Sequence, residues 1–301
     1  MYNLRYSKVF YSARQIVKRL LSWIYPIVVW AFPLPKVLSI DDTLQLLLKS
    51  NKSIIRFGDG EFLYIFDKIN LPFQRYDKKL AQKLINILSS DQETILIGLP
   101  SGYHSTNLLS KTGKRFWRAQ IAWIYPRLRK YLRIEKIYAN ASITRLYAEY
   151  QDKSNCKNWF ELFMKIWDNK EIVLIEGEKS RIGVGNELFA GAKSVERILG
   201  PKHHAFSKYE ELLNVARMIE CHKLILIALG PCAKPLAYEL AMLGHRVIDI
   251  GNLDIEFEWY LRGAKTKTKI PGKYTSEAIG GREVDDINDL RYHNEIKEIV
   301  T

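Results

Sequence analysis

"KLILIALGPCAKPLAYELAMLGHRVIDIG", residues 223–251, carries the fold in a single stretch. "KLILIAL" (223–229) is a short, near-continuous apolar run that Gly230-Pro231 ends. "AKPLAYELAMLG" (233–244) then repeats apolar residues at helical spacing, and "RVIDIG" (246–251) is apolar again. The order is strand, turn, helix, strand. A strand apolar on both faces must be covered on both, which is the pattern of a parallel sheet between helices.

The same alternation extends outward along the chain. Ser53 to Phe57, "TILIGL" (94–99), residues 135–139 and "EIVLIEG" (171–177) read as further strands. Helical patterns separate them over 38–50, 77–90, 113–133 (interrupted at Pro126), 142–150, 158–168 and 208–222. The expectation is an α/β domain over residues 37–301 with a mostly parallel sheet and helices on both faces. Ligands in such sheets bind beyond the carboxyl ends of the strands, so the loops there hold the candidate residues.

Four strand ends stand out. In "RFGDGEF" (56–62), Arg56 precedes Asp59 and Glu61; in extended chain an Asp-x-Glu pair points both carboxylates to one side, where they can hold a hard divalent cation. "EGEKSRIGVGNELF" (176–189) offers Ser180, Arg181 and Asn186 as donors, with Gly183 and Gly185 permitting close backbone approach. At Gly230-Pro231 a strand enters a helix, and the helix amides with Lys234 form a diphosphate cradle. "DIGNLDIEFEWY" (249–260) alternates Asp254, Glu256 and Glu258 with apolar residues, so a strand would present three acids on one face. These acids are the candidates for a general base, Glu256 foremost.

"RFGDGE", "EGEKSRIGVGNELF", "LGPCAKPLAYELAMLGHRVIDIGNLDIEFEWYL" and "IPGKY" together resemble the GT-D-type glycosyltransferase domain of bacterial polysaccharide and glycoprotein clusters. The resemblance covers roughly residues 40–280 in consistent order. It implies a Rossmann-like fold, a nucleotide-sugar donor, typically UDP-linked, and a divalent metal, manganese or magnesium, on Asp59 and Glu61. It places the donor loop at Ser180, Arg181 and Asn186 and the phosphate-side turn at Gly230 and Pro231. Where the family often carries histidine, this chain has Asn252.

Charge and cysteine use complete the reading. The net charge is +13, and fourteen of the 46 basic residues fall in two acid-free segments, 1–36 and 111–133. The remaining 32 nearly balance 33 acids. Both segments carry large aromatics, among them Trp23, Tyr25, Trp30, Phe116, Trp117, Trp123, Tyr125 and Tyr131. Basic-aromatic surfaces suit anionic membranes or single-stranded nucleic acid. Nucleic acid is the weaker partner, because no RNP-like, zinc-finger or helix-turn-helix signature accompanies them.

"LLSWIYPIVVWAFPLP" (20–35) is marginal for a span of about 20 residues and has no cleavage site. Residues 1–36 are therefore read as a helical segment lying on the membrane. The three cysteines lack metal spacing and point to a reducing compartment. The resulting expectation is a cytoplasmic enzyme on the inner face of the membrane, extending a lipid-linked surface glycan. The absence of GxGxxG argues against the rival, a nicotinamide oxidoreductase.

Overall fold

Side-chain alternation along the strands sorts the core into two layers. In β7 (Leu224–Ala228), Leu224 and Leu226 enter one buried cluster while Ile225 and Ile227 enter the other. The same division runs through β5 (Glu171–Gly177), with Ile172 and Leu174 against Val173 and Ile175. A sheet apolar on both faces is thereby buried on both, as a parallel sheet requires.

The structure is a computed structural model that describes residues 8–301, with side chains from residue 15 onward. The strands, in chain order, are β1 (Lys36–Val37), β2 (Ser53–Arg56), β3 (Ile95–Leu99), β4 (Ile137–Asn140), then β5, β6 (Ser194–Gly200), β7, β8 (Val247–Asp249) and β9 (Ile296–Ile299). The helices are α1 (Lys8–Ala31), α2 (Ile40–Lys49), α3 (Asp59–Asp67), α4 (Lys78–Leu88), α5 (Ser101–His104) and α6 (Lys111–Leu128). They continue with α7 (Cys156–Met164), α8 (Tyr209–Ala216), α9 (Ala233–Met242), α10 (Leu253–Leu261) and α11 (Leu290–Glu295).

Among the described residues the sheet has nine strands in the order β1-β4-β3-β2-β8-β7-β5-β6-β9, every adjacent pair parallel. The chain leaves β2 toward β3 on one side and leaves β8 toward β9 on the other. Neighbouring strands whose connections depart in opposite directions open a crevice at their carboxyl ends. That switch point lies between β2 and β8.

Several expectations change. The Asp59–Glu61 stretch is the first turn of α3, and 253–261 is helix α10, not a strand. Residues 142–150 form a short 3-10 turn over Ala141–Thr144 followed by loop. Helix α6 is not interrupted at Pro126 but runs through it to Leu128, forfeiting one backbone hydrogen bond in its last turn. The polar-looking β6, "SVERILG", and the short outer strands β1 and β9 escape an apolar-run criterion. Because β1 pairs with β4, the boundary expected at 36/37 falls inside a strand.

Helix α1 packs along α6, and Tyr125 Oη donates a hydrogen bond to the Pro33 carbonyl. Trp117 and Tyr125 of the second basic segment are buried, so that segment is partly core and not a free aromatic surface. Arg5 lies outside the described residues. No described helix is long and apolar enough to cross a membrane.

Candidate active site

The residues after β2 and β8 are held in place by one buried charge ladder. Arg56 donates from Nε to the Asp249 carbonyl at 2.6 Å, from Nη2 to Asp249 Oδ1 at 2.9 Å and from Nη1 to the Ala141 carbonyl at 2.9 Å. Lys234 Nζ, on α9, lies 3.2 Å from Asp249 Oδ2 and 3.1 Å from Glu61 Oε1. Burial pushes the Asp249 carboxyl up, but Arg56 and Lys234 outweigh it and hold the group below its ordinary value. The ladder joins β2, β8, α9 and α3 across the switch point. Gly251, at φ +44°, leaves room for it, since a Cβ there would sit 2.0 Å from Arg56 Nη2.

Above the ladder opens a cavity of about 700 Å³ lined from the carboxyl ends of β2, β4, β5, β6, β7 and β8. Asp59 and Glu61 both line it, but as N1 and N3 of a helix they do different things. Glu61 folds back to accept the Gly58 amide at 2.9 Å, a helix cap, while its other oxygen pairs with Lys234. Asp59 has no hydrogen-bond or ion-pair partner among the described residues. Burial raises its pKa to about 6; Arg145 opposes the rise, and Glu149, Glu61 and Glu277 add to it.

Opposite Asp59 stand Arg145, Glu149 and Glu277, none of which an apolar-run or motif reading singles out. Arg145 is ion-paired to Glu277, with Glu256 Oε1 at 3.8 Å. Burial pushes Glu277 up, yet Arg145 and Lys267 hold it at about 2. Glu149 accepts a hydrogen bond from Trp117 Nε1 at 3.2 Å, and burial raises its pKa despite Arg145. Two cavity-lining residues, Asn252 and Tyr274, each hold a buried atom, Nδ2 and Oη, without a hydrogen-bond partner among the described residues.

The remaining expected residues divide between cavity and scaffold. Ser180 and Gly230 line the cavity; Pro231 sits buried in the turn behind it. A Cβ on Gly230, at φ +55°, would come 2.7 Å from the Phe73 ring, which closes that side. Arg181 is turned away: its Nη1 donates to the Gly272 and Asp285 carbonyls, each at 2.8 Å, bolting the donor loop to the C-terminal segment. Asn186 donates to Asp254 and Glu258, each at 2.8 Å. Lys234 lines the cavity as well, with its Nζ held between Glu61 and Asp249 in the ladder.

Asp254, Glu256 and Glu258 do not all share a face, because a helix separates i and i+2 by about 200°. Asp254 and Glu258 point together at Lys273, with Nζ 2.7 Å from Asp254 Oδ2 and 3.2 Å from Glu258 Oε1. Asp254 also accepts the Gly183 amide at 2.9 Å. Glu256 points elsewhere and accepts the Tyr147 and Ala148 amides at 2.9 and 2.8 Å. Each is buried and holds hydrogen bonds through its carboxylate, although Glu256 Oε1 has no hydrogen-bond partner among the described residues. Their geometry is that of anchors: Asp254 and Glu258 for the 183–186 loop and the Lys273 turn, Glu256 for the loop carrying Arg145 and Glu149.

The family model for the glycosyltransferase GT-D fold matches residues 54–278. The chain is 35% identical over 262 residues to glycosyltransferase GlyD of Streptococcus pneumoniae serotype 4, covering 87% of this chain and 32% of that protein. It is 35% identical to a probable glycosyl transferase, Gly, of Streptococcus gordonii, covering 86% of this chain and 38% of that protein. The chain thus spans about a third of the length of these relatives. A solved glycosyltransferase of the domain of unknown function 1792 from Streptococcus sanguinis superposes with a TM-score of 0.84 at 32% identity, over 89% of this chain and all of that one. A second solved domain 1792, described as having a distinct glycosyltransferase fold, gives 0.83 at 31%, over 95% of this chain and 99% of that one.

Proposed function

The chain belongs to the GT-D-fold glycosyltransferase family, and from that premise we propose that its cavity transfers a sugar from a nucleotide-sugar donor to a glycan acceptor. One observation carries the reading: Asp59, an acid without a hydrogen-bond or ion-pair partner among the described residues, lines the cavity at the switch point, where donor ligands bind in α/β sheets, and the wall residues Asn252 and Tyr274 each hold a buried polar atom without a partner among them. Groups left unpaired in a buried site await a partner, since burial without one is costly.

The residues present fit a divalent cation in part. Asp59 is an unpaired carboxylate among three other acids, an excess of negative charge that a cation would relieve. Glu61 is the lesser ligand, since Lys234 already faces it. No group of three or more metal-ligating side chains occurs among the described residues, so the nucleotide's own phosphate oxygens and water would complete the shell. Held there, manganese or magnesium would supply Lewis-acid stabilisation of the departing nucleoside diphosphate.

The chain's own residues divide the rest of the work. Ser180 and the exposed Lys202 border the cavity where the diphosphate would lie, with Phe73 and Gly230 beside them. Glu149 stands on the α6 side, half-buried, with Trp117 the only hydrogen-bond partner of its carboxylate among the described residues. It is the carboxylate positioned to take the acceptor's proton, and burial, which raises its pKa, makes it a stronger base than a free carboxylate. The donor is read as UDP-linked by the family resemblance, and the acceptor as a lipid-linked surface glycan by the basic and apolar segments that suit a membrane surface. A melting screen with UDP-, GDP- and dTDP-sugars, each with and without manganese, tests the reading. Metal-dependent stabilisation by one nucleotide supports it, and no response to any of them opposes it.

A further inference from the structure

The outward face of α1 is apolar where a surface helix is ordinarily polar. Ile16, Leu20, Trp23, Ile27 and Trp30 recur at three- and four-residue spacing and are 57, 53, 75, 65 and 85% exposed. Val17 and Ile24 widen the stripe. The opposite side of the helix is occupied. Lys18 Nζ sits 5.3 Å from the Phe116 ring centre, the Arg118 guanidinium 5.2 Å from that of Tyr25, and the Arg129 guanidinium 4.6 Å from that of Phe32. These contacts fix the rotation of α1 on α6 and turn the stripe outward.

A continuous apolar stripe ending in exposed tryptophans marks a docking surface, and the charge around it selects the occupant. Residues 1–36 and 111–133 carry fourteen basic residues and no acid, and α1 on α6 brings the described part of both segments to one side of the molecule. A second copy seated on the same stripe would set one basic margin against another. An anionic bilayer answers both features. Its headgroups pair with lysine and arginine, and its interface takes up tryptophan and aliphatic side chains. As α1 is not apolar enough to cross, it would lie in the plane of the surface.

We infer that the outward face of α1, with its basic margins, docks this protein on an anionic membrane surface. Phe116 belongs both to the seat of α1 and to the cavity wall, so docking ties that wall to the membrane-bound helix. The docking itself does not depend on what the cavity transfers. Its bearing on a lipid-linked acceptor rests on the function proposed above.

The test is sedimentation of the full chain, at low salt, with vesicles of phosphatidylcholine alone or mixed with phosphatidylglycerol. Binding is expected to be about tenfold or more stronger on the anionic vesicles. The double variant Leu20→Asp/Ile27→Asp is expected to lose about tenfold or more of it, with an unchanged melting temperature because both side chains are exposed. Wild-type protein left in the supernatant, a double variant that sediments as before, or equal binding to neutral vesicles would overturn the inference. So would light scattering that shows a lipid-free dimer made monomeric by the double variant, which would assign the stripe to a second copy.

Discussion

Lys234 Nζ stands 3.1 Å from Glu61 Oε1 and 3.2 Å from Asp249 Oδ2, so one buried ammonium serves the second acid of the Asp-x-Glu pair and the acid that ends β8. The two acids of the motif are consequently unequal. Asp59 reaches the cavity uncompensated, whereas Glu61 arrives with a countercharge and a capping bond. Asp59→Asn is expected to reduce transfer by about 10²-fold or more, the scale of losing one electrostatic stabiliser. Its melting temperature should hold or rise, because a carboxylate raised by burial is removed. Glu61→Gln should lower the melting temperature as well as activity. Steady-state kinetics beside a melting curve separates the two.

Asp249→Asn tests the ladder. It would leave Arg56 and Lys234 as buried cations without the charge they share, a loss of about 3–5 kcal/mol. Urea unfolding of the variant against wild type reads this directly. Gly251→Ala should be at least as damaging, since φ +44° and a contact at 2.0 Å from Arg56 both oppose a side chain. An Ala variant as stable as wild type would contradict the position given to Arg56.

The base assignment separates Glu149 from the α10 acids. Glu149→Gln is expected to lower kcat by about 10²-fold with little change in donor affinity, and to remove the acidic limb of the pH–rate profile. Glu256→Gln should show a different defect, a lower melting temperature, since it weakens the grip on the Tyr147 and Ala148 amides. A Glu256→Gln protein with native stability and a kcat defect alone would return the base to α10.

Glu277 and Glu149 give pH dependences of opposite sign. Arg145 and Lys267 hold Glu277 at about 2 against an ordinary value of 4.5. Its contribution to stability is therefore full above 4.5 and is lost as pH falls toward 2. Glu149 is raised, so the folded state holds its proton more tightly than the unfolded one, and stability from this group declines as pH rises through its folded pKa. Denaturation midpoints measured across acid pH should flatten in Glu277→Gln. Unchanged acid sensitivity would contradict the Arg145–Glu277–Lys267 contacts.

Much of this architecture could be read from residue order alone, for a physical reason. Strands buried on both faces, such as β7, leave an unbroken apolar run, and the glycine turn after it ends the run sharply. Asp59 was visible as a cavity residue because an acid straight after a buried strand has few places to go. What stayed hidden depends on direction rather than composition. "LDIEFEWY" alternates like a strand but forms a helix buried from Leu253 to Trp259, which explains why Asp254, Glu256 and Glu258 looked like one face. Arg181, Asn186 and Lys234 have the chemistry of ligand donors but spend it on the protein itself. Arg145, Glu149 and Glu277 lie in irregular loops with no period or motif, and only tertiary contact brings them to the site. Asn252 stands out in the sequence as a departure from the family pattern and Tyr274 falls in "IPGKY", but their buried atoms without partners among the described residues emerge only from the fold.

Calorimetric titration of UDP into the protein with and without manganese, for wild type and Asp59→Asn, tests the central claim most directly. The account predicts binding that requires the metal in wild type and is lost, or weakened about 10²-fold, in Asp59→Asn. Equal, metal-independent binding by both proteins would contradict it, as would the failure of UDP and every other nucleoside diphosphate to bind wild type at all.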